Sequence, residues 1–140
     1  MRLYTDGGSR GNDKGEGNGV GAGAWLIVGP DDVIIKKDSE FYGTVTNNEA
    51  EYYSLIRGFK CALQAYITEL TCYSDSLLLI NQMKGTYKIK KESLKILSLE
   101  AKKLELRFIK VRYVQVPRTN PFIRTADRLL NKVLDDKMFG

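Results

Sequence analysis

Four acidic residues stand where predicted strands end or predicted helices begin. Asp6 closes the first predicted strand, and Asp75 closes the fourth, directly before a short helix. Glu51 lies in the first turn of the first long helix, and Asp127 lies in the first turn of the last. Strand ends and helix starts can meet at one edge of an open sheet, which is where sites form. The four side chains are therefore candidates for one shared site.

Clustered carboxylates repel each other, and bound divalent cations relieve that repulsion. Oxygen ligands of this kind suit Mg²⁺ or Mn²⁺. Two such ions roughly 4 Å apart could activate a water and stabilise the leaving oxygen of a phosphodiester. The alternative is that each acid is structural, because an Asp before a helix commonly caps it and an acid in a first turn commonly serves the helix dipole. Spacing alone leaves both interpretations open.

The composition narrows the chemistry that is available. The chain contains no histidine, which excludes Ser-His-Asp and Cys-His catalysis, histidine metal sites and a histidine general base. Its net charge of +5 is compatible with a polyanionic partner. Cys61 and Cys72 are too few and too scattered for a zinc site, so we expect two reduced core thiols.

Length and hydropathy predict the organisation of the chain. Its 140 residues fit a single domain over residues 1–140. No apolar run reaches the roughly 18 residues of a membrane span, and the N-terminus lacks the apolar stretch and cleavage site of a signal peptide. We therefore expect one cytoplasmic domain that has no membrane partner.

The elements that must position the acids are strands and helices in alternation. Turn signals and β-forming residues predict strands at residues 2–5, 24–28, 33–42, 70–73 and 106–116. Apolar residues at helical spacing predict helices at residues 48–65, 76–83, 91–104 and 125–138. A glycine-rich loop is expected after the first strand, and another loop at residues 117–124. The order predicts an α/β fold with a five-stranded mixed sheet, three antiparallel strands first and parallel crossovers after them, flanked by helices.

Four short segments around the acids carry a resemblance to a known family. They are residues 4–12 (YTDGGSRGN), 46–52 (TNNEAEY), 73–76 (YSDS) and 126–131 (ADRLLN). Each resembles one motif of the type 1 ribonucleases H, and the four occur in that family's order along nearly the whole chain. One such motif would be a weak signal, whereas four in order are specific. The predicted elements also fit the ribonuclease H-like fold.

The resemblance implies an endonuclease that hydrolyses the RNA strand of an RNA–DNA hybrid and leaves 5′-phosphate and 3′-hydroxyl ends. Two Mg²⁺ ions, for which Mn²⁺ can substitute, would be held by Asp6, Glu51, Asp75 and Asp127. The catalytic glutamate of the family occupies the second acidic position of its motif, so Glu49 is interpreted as surface charge. The resemblance further implies a monomer that binds the hybrid and has no obligatory protein partner.

The same resemblance predicts substrate contacts. Amide side chains in the first two motifs match positions that contact the hybrid in its minor groove, where an amide can bond a 2′-hydroxyl. The threonine before them falls where the family contacts a DNA phosphate, and glycines near Asp6 would let backbone approach the substrate. Lysines of residues 84–91 could meet phosphates. Helix capping by the asparagines and simple solvation of the lysines are the alternatives. The expected contacts are Gly8, Asn12, Thr46, Asn47, Asn48 and Lys88.

Two features depart from the family pattern. Leu77 follows the third motif, where relatives often carry a polar residue that touches the hybrid. Many relatives have a histidine in the loop before the last motif, while others have Val-Pro-Arg, which makes Arg118 the candidate for that catalytic role. Residues 121–125 then look like a small insertion into this loop.

Two other functions remain open from sequence. A domain of this fold can lose catalysis and serve as a hybrid-binding module, although the presence of all four carboxylates argues against that. A different nuclease of the same fold, such as a 3′→5′ exonuclease or a transposase-type enzyme, would arrange its acids differently. It would also leave Asn47 and Asn48 without an explanation.

Overall fold

The computed structural model describes residues 1–11 and 19–139, and the sequence folds there into the predicted order of elements. The strands are β1 (Arg2–Arg10), β2 (Val20–Val28), β3 (Ile34–Thr44), β4 (Glu69–Ser74) and β5 (Lys110–Gln115). The helices are α1 (Asn47–Gln64), α2 (Leu77–Lys84), α3 (Glu92–Glu105) and α4 (Pro121–Phe139). None of these four combines the length and the apolarity that a membrane-spanning helix requires.

One mixed sheet has the strand order β3-β2-β1-β4-β5. The first three strands are antiparallel to their neighbours, whereas β4 runs parallel to β1 and β5 runs parallel to β4. The α/β fold with a five-stranded mixed sheet is thus confirmed. β1 pairs with β2 from Arg2 to Arg10, but its register with β4 covers only Arg2 to Tyr4. That register ends two residues before Asp6, so the carboxylate lies where the parallel strands have separated.

Each face of the sheet is covered by a separate core. Side chains alternate across a strand, so Leu3 and Tyr4 point to opposite faces of β1. Leu3 belongs to a buried cluster that includes Phe59 of α1 and packs against the helices of one layer. Tyr4 and Leu26 belong to a second buried cluster, which includes Leu130 of α4. β1 is therefore held between α1 and α4, the two helices that also carry acidic candidates.

The first hairpin extends further than the sequence predicts. Glycines disfavour strands, which is why a loop was expected directly after Asp6, yet β1 continues to Arg10 and β2 already begins at Val20. The physical reason is close packing against α1. A Cβ on Gly7 would lie 2.6 Å from the backbone nitrogen of Glu51, and a Cβ on Gly23 would overlap the Ser54 hydroxyl. Gly7 lets β1 touch α1 and Gly23 lets β2 touch it, and the ladder continues through both glycines.

The ends of two further elements differ from prediction. β5 begins at Lys110 and not at residue 106, because α3 ends in a turn in which Phe108 N donates to Glu105 O at 3.0 Å. The predicted loop over residues 117–124 is also wrong in its second half, since α4 begins at Pro121. The Asn120 side chain accepts hydrogen bonds from Phe122 N at 2.9 Å and Ile123 N at 3.3 Å. An asparagine cap followed by a proline in the first position is a standard helix start.

The start of α1 corrects the interpretation of Glu49 as surface charge. Thr46 is the N-cap, and its hydroxyl accepts a hydrogen bond from Glu49 N at 3.2 Å. The Glu49 carboxylate in turn accepts one from Thr46 N at 2.8 Å. This reciprocal capping box gives hydrogen-bond partners to two backbone N–H groups that have none within the helix. Because Thr46 fulfils the capping role, Asn47 and Asn48 are not needed for it, and both are exposed.

We expect Gly7→Ala to lower the free energy of unfolding by about 2 kcal/mol, because the added methyl group meets helix backbone that cannot turn aside. Gly8→Ala is the matched control, since a Cβ there has its nearest neighbours at 3.6 and 3.7 Å, which is ordinary contact. Urea denaturation of both variants measures the difference. Equal losses of stability would show that β1 and α1 are not in close contact at Gly7.

Candidate active site

Three carboxylates from separate elements converge beside the end of the β1–β4 register. The sequence predicted that Asp6 ends the first strand, but Asp6 lies within β1. Asp75 directly follows β4. Glu51 projects from α1, just past the first turn. One oxygen from each of the three lies within 4.8 Å of the others. Asp6 and Glu51 are only 6% and 5% exposed, so two of the three acids are buried.

Asp127 stands at the edge of this group. It is exposed, and it lies in the second turn of α4 and not in the first, because the helix begins at Pro121. It nevertheless lines the same cleft as Asp6, Glu51 and Asp75. Its charge and a hydrogen bond between the two carboxyl side chains both raise the pKa of Asp6. The structure thus brings all four predicted acids to one cleft, three in a tight cluster and the fourth at its mouth.

Burial and mutual repulsion make the cluster reluctant to ionise. Burial, followed by the charges of Asp75 and Asp127, raises the pKa of Asp6 to about 8. Burial, followed by the charges of Asp6 and Asp75, raises the pKa of Glu51 well above its ordinary value. The pKa of Asp75 is also raised by partial burial, but the nearby Arg118 guanidinium opposes that shift. At neutral pH the described residues do not by themselves compensate the negative charge that these carboxylates would carry.

The cluster has the properties of a divalent cation site. Its donors are carboxylate oxygens from three elements, which is the ligand type that Mg²⁺ and Mn²⁺ prefer. The buried Glu51 Oε1 atom has no hydrogen-bond partner, and a buried polar atom in that state requires a ligand or a proton. A cation would satisfy this oxygen and would restore the ordinary ionisation of Asp6 and Glu51. The residues therefore fit the metal that the sequence predicts.

The last residues of β1 hold both neighbouring helices in place. Ser9 N donates a hydrogen bond to Asn47 Oδ1 at 3.2 Å, which fixes the start of α1. The Arg10 guanidinium donates to Asn131 Oδ1 and to Asp135 Oδ1, each at 2.7 Å, which fixes α4. Asn131 Nδ2 then donates to the carbonyl of Asp127 at 2.9 Å. The strand that carries Asp6 is thus bridged to the helices that carry Glu51 and Asp127.

The predicted substrate contacts divide into three groups. Gly8 and Asn47 line the cleft itself. Thr46, Asn48 and Lys88 lie outside its lining, and Asn48 and Lys88 are exposed. Asn12 lies outside the described residues. The fold therefore places two of the predicted contacts, Gly8 and Asn47, in the same cleft as the carboxylates.

The two departures from the family pattern both lie at this cleft or beside it. The Arg118 side chain is 91% exposed, and its Nε lies 3.8 Å from Asp75 Oδ2. Leu77 is the first residue of α2 and is 52% exposed, two positions after Asp75. The cleft thus has a guanidinium beside Asp75, and an apolar side chain stands two positions after the same acid.

Sequence reasoning did not single out several residues that line the cleft, among them Arg10, Arg124 and Asn131. Arg10 and Asn131 stand inside two of the recognised motifs, but no spacing rule shows that they contact each other. Arg124 was assigned to a loop. The Asn120-Pro121 pair was the signal that could have found it, because it places Arg124 and Asp127 three residues apart on one helix.

Comparison with known protein families supports the resemblance that the four motifs and the cluster of acids suggest. A family model described as reverse transcriptase-like matches residues 9–133. A bifunctional protein of Mycobacterium tuberculosis is 36% identical over 133 residues, which is 95% of this chain and 35% of the relative. The chain therefore spans about a third of the length of that relative.

Solved structures match the whole fold. The crystal structure of ribonuclease H1 from the halophilic archaeon Halobacterium salinarum has a TM-score of 0.89 at 31% identity, and the match covers 96% of this chain and 97% of that one. A ribonuclease H1 isolated from compost by a metagenomic approach, crystallised in complex with an RNA/DNA hybrid, has a TM-score of 0.87 at 29% identity. That match covers 98% of each chain.

The raised pKa values predict how the stability of the metal-free protein depends on pH. Unfolded Asp and Glu titrate near 3.9 and 4.3, roughly, whereas Asp6 titrates at about 8 in the folded state. Between about pH 4 and pH 8 the folded protein then binds more protons than the unfolded chain, so this contribution to stability is lost as the pH rises. We expect Asp6→Asn to raise the melting temperature of the metal-free protein at pH 8 by several degrees, at roughly 3 °C per kcal/mol, and to change it little at pH 4.5.

Asp136→Asn is the control, because Asp136 is an exposed acid paired with Lys132 on α4. Added Mg²⁺ should raise the melting temperature of the unmodified protein more at pH 8 than at pH 4.5. Thermal melts of the three proteins with EDTA or Mg²⁺ test both statements. A gain for Asp6→Asn that is the same at both pH values would contradict the assigned pKa shift.

Proposed function

The chain belongs to the type 1 ribonuclease H family, and we propose that it hydrolyses internal phosphodiester bonds in the RNA strand of RNA–DNA hybrids. The observation that carries this proposal is the convergence of Asp6, Glu51 and Asp75, with Asp127 at the mouth of the same cleft. The complex of a related ribonuclease H1 with an RNA/DNA hybrid supports the substrate class. The products would have 5′-phosphate and 3′-hydroxyl ends.

The four carboxylates would hold two Mg²⁺ ions, for which Mn²⁺ could substitute. Bound cations of this kind supply a nucleophilic water at neutral pH and stabilise the leaving oxygen of a phosphodiester. The chain's own contribution is to hold four ligands, from β1, α1, the end of β4 and α4, against their mutual repulsion. The buried pair Asp6 and Glu51 would form the inner part of the site, and the exposed Asp127 would complete it from the substrate side.

Recognition of the RNA strand would come from the side of the cleft formed by β1 and α1. At Gly8 the absence of a side chain leaves backbone accessible in the lining of the cleft. The exposed amides of Asn47 and Asn48 can bond a 2′-hydroxyl, which acts as both donor and acceptor and distinguishes RNA from DNA. Thr46, the N-cap of α1, lies beside these amides and would meet a phosphate of the DNA strand. Lys88 would meet a phosphate further along the hybrid, and Asn12 would join the amide contacts.

Arg118 would act beside the carboxylates without holding the metal. Its side chain is nearly fully exposed and is tied only loosely, at 3.8 Å, to Asp75. A guanidinium in this position can move between Asp75 and a phosphate oxygen. We assign it the task of drawing the cleaved phosphate away from the carboxylates after the chemical step.

All four carboxylates come from one chain, so the proposal extends to a catalytically complete monomer. Residues 1–140 would act as one domain. The free thiols of Cys61 and Cys72 fit the reducing conditions of the cytoplasm, where we propose that the protein acts.

A strand-labelled RNA–DNA hybrid tests the proposed function. With Mg²⁺ or Mn²⁺ we expect internal cuts in the RNA strand alone, and with EDTA we expect none. Asp6→Asn should lower the rate at least about 100-fold, because one carboxylate ligand of the cluster is lost. Asp136→Asn should cut like the unmodified protein. Retained binding of the hybrid without cleavage under either metal would instead favour a hybrid-binding module, and cutting of duplex DNA would favour a different nuclease.

A second experiment isolates the role of Arg118. We expect Arg118→Ala to lower kcat about 10-fold and to leave the KM for the hybrid within about twofold, because product departure is slowed while substrate binding is not. Single-turnover rates should stay close to those of the unmodified protein. A large rise in KM with an unchanged kcat would assign Arg118 to substrate binding and would exclude the release role.

A further inference from the structure

Three arginines line the cleft, and their surroundings differ. Arg10 is engaged by Asn131 and Asp135, each at 2.7 Å, so its guanidinium is already used to hold α4. Arg118 lies 3.8 Å from Asp75. The Arg124 side chain is exposed, and within residues 1–11 and 19–139 it makes no hydrogen bond or ion pair. It is thus the one guanidinium among these three that is fully available to a ligand.

Arg124 faces the cleft because of where α4 begins. Asn120 caps the helix and Pro121 opens it, which converts the apparent insertion into an additional helical turn. Arg124 and Asp127 are then one turn apart and share a side of the helix. Arg124 therefore stands on the same wall of the cleft as the exposed carboxylate.

The charge of the cleft explains what such a guanidinium would bind. Four carboxylates line it, and they repel the phosphates of any nucleic acid that crosses them. A cation beside them offsets this repulsion at the neighbouring phosphate. An arginine fork can also donate two parallel hydrogen bonds to one phosphate, which a lysine cannot do.

We propose that Arg124 binds a backbone phosphate of the RNA strand next to the bond that is cut. This inference rests on the proposed function, because it takes the RNA strand to be the one that lies over the carboxylates. A phosphate contact fixes the position of the strand and carries no sequence information. Arg124 is thereby a substrate-positioning contact that acts from α4, opposite the contacts of β1 and α1.

The test is equilibrium binding of a fluorescent RNA–DNA hybrid at several salt concentrations with EDTA present. The parent protein is Asp6→Asn, which keeps the hybrid intact, and Arg124→Ala and Arg124→Lys are added to it. Loss of one phosphate contact should raise Kd about 5-fold and lower the slope of log Kd against log salt by about one, whatever the sequence of the hybrid. Arg124→Lys should restore the slope but only part of the affinity, because it keeps the charge and loses the fork.

Arg128→Ala is the matched control. Arg128 is an exposed arginine one turn further along α4, where it donates to Thr125 Oγ1, and it does not line the cleft. Its removal should leave Kd within about twofold of the parent value and should leave the salt slope unchanged. If Arg124→Ala binds as tightly as this control, the role of Arg124 is overturned, while RNA cleavage by the unmodified protein would keep the proposed function intact. An unmodified protein that neither binds nor cuts the hybrid would overturn the proposed function and the Arg124 contact together.

Discussion

The main constraint on this structure is that it must hold two acidic side chains where little water can solvate them. Asp6 and Glu51 are almost completely buried and lie within a few ångströms of Asp75. Such an arrangement opposes folding, because buried carboxylates lose hydration and repel each other. It persists because the elements that carry them are fixed by other forces. Leu3 and Phe59 hold β1 and α1 together in an apolar core, and the capping box orders the start of α1.

The close approach of β1 and α1 is what turns this packing into a site. With Gly7 in contact with the backbone of Ala50 and Glu51, Asp6 and Glu51 are brought side by side with no side chain between them. The short β1–β4 register then places Asp75 at the same point from the other side. A longer register would carry β4 past Asp6 and close the cleft. The acid cluster is therefore a consequence of one missing side chain and of one strand pairing that ends early.

Sequence reasoning reached the order of elements and the mixed sheet because both follow from strong local signals. Apolar periodicity marks α1 and α4, and β-forming runs mark β4 and β5. It failed where tertiary contact overrides local preference. Gly7 and Gly23 favour a loop by propensity, yet α1 requires their lack of side chains and the ladder continues through them. Glu49 looks like surface charge until its bond to Thr46 N is known.

The two walls of the cleft are under different physical constraints. Residues on one wall are fixed by packing, whereas residues on the other wall can vary. On the β1 and α1 side, Asp6 and Glu51 are buried, so substitutions there change stability as well as chemistry. On the α4 side, Asp127, Arg118 and Arg124 are exposed, and the buried residues of the helix face the sheet instead. An additional helical turn at Asn120 could therefore be accommodated without moving the carboxylate cluster. The buried acids Asp6 and Glu51 are held by the packed wall, and contacts particular to this chain are expected on the solvated one.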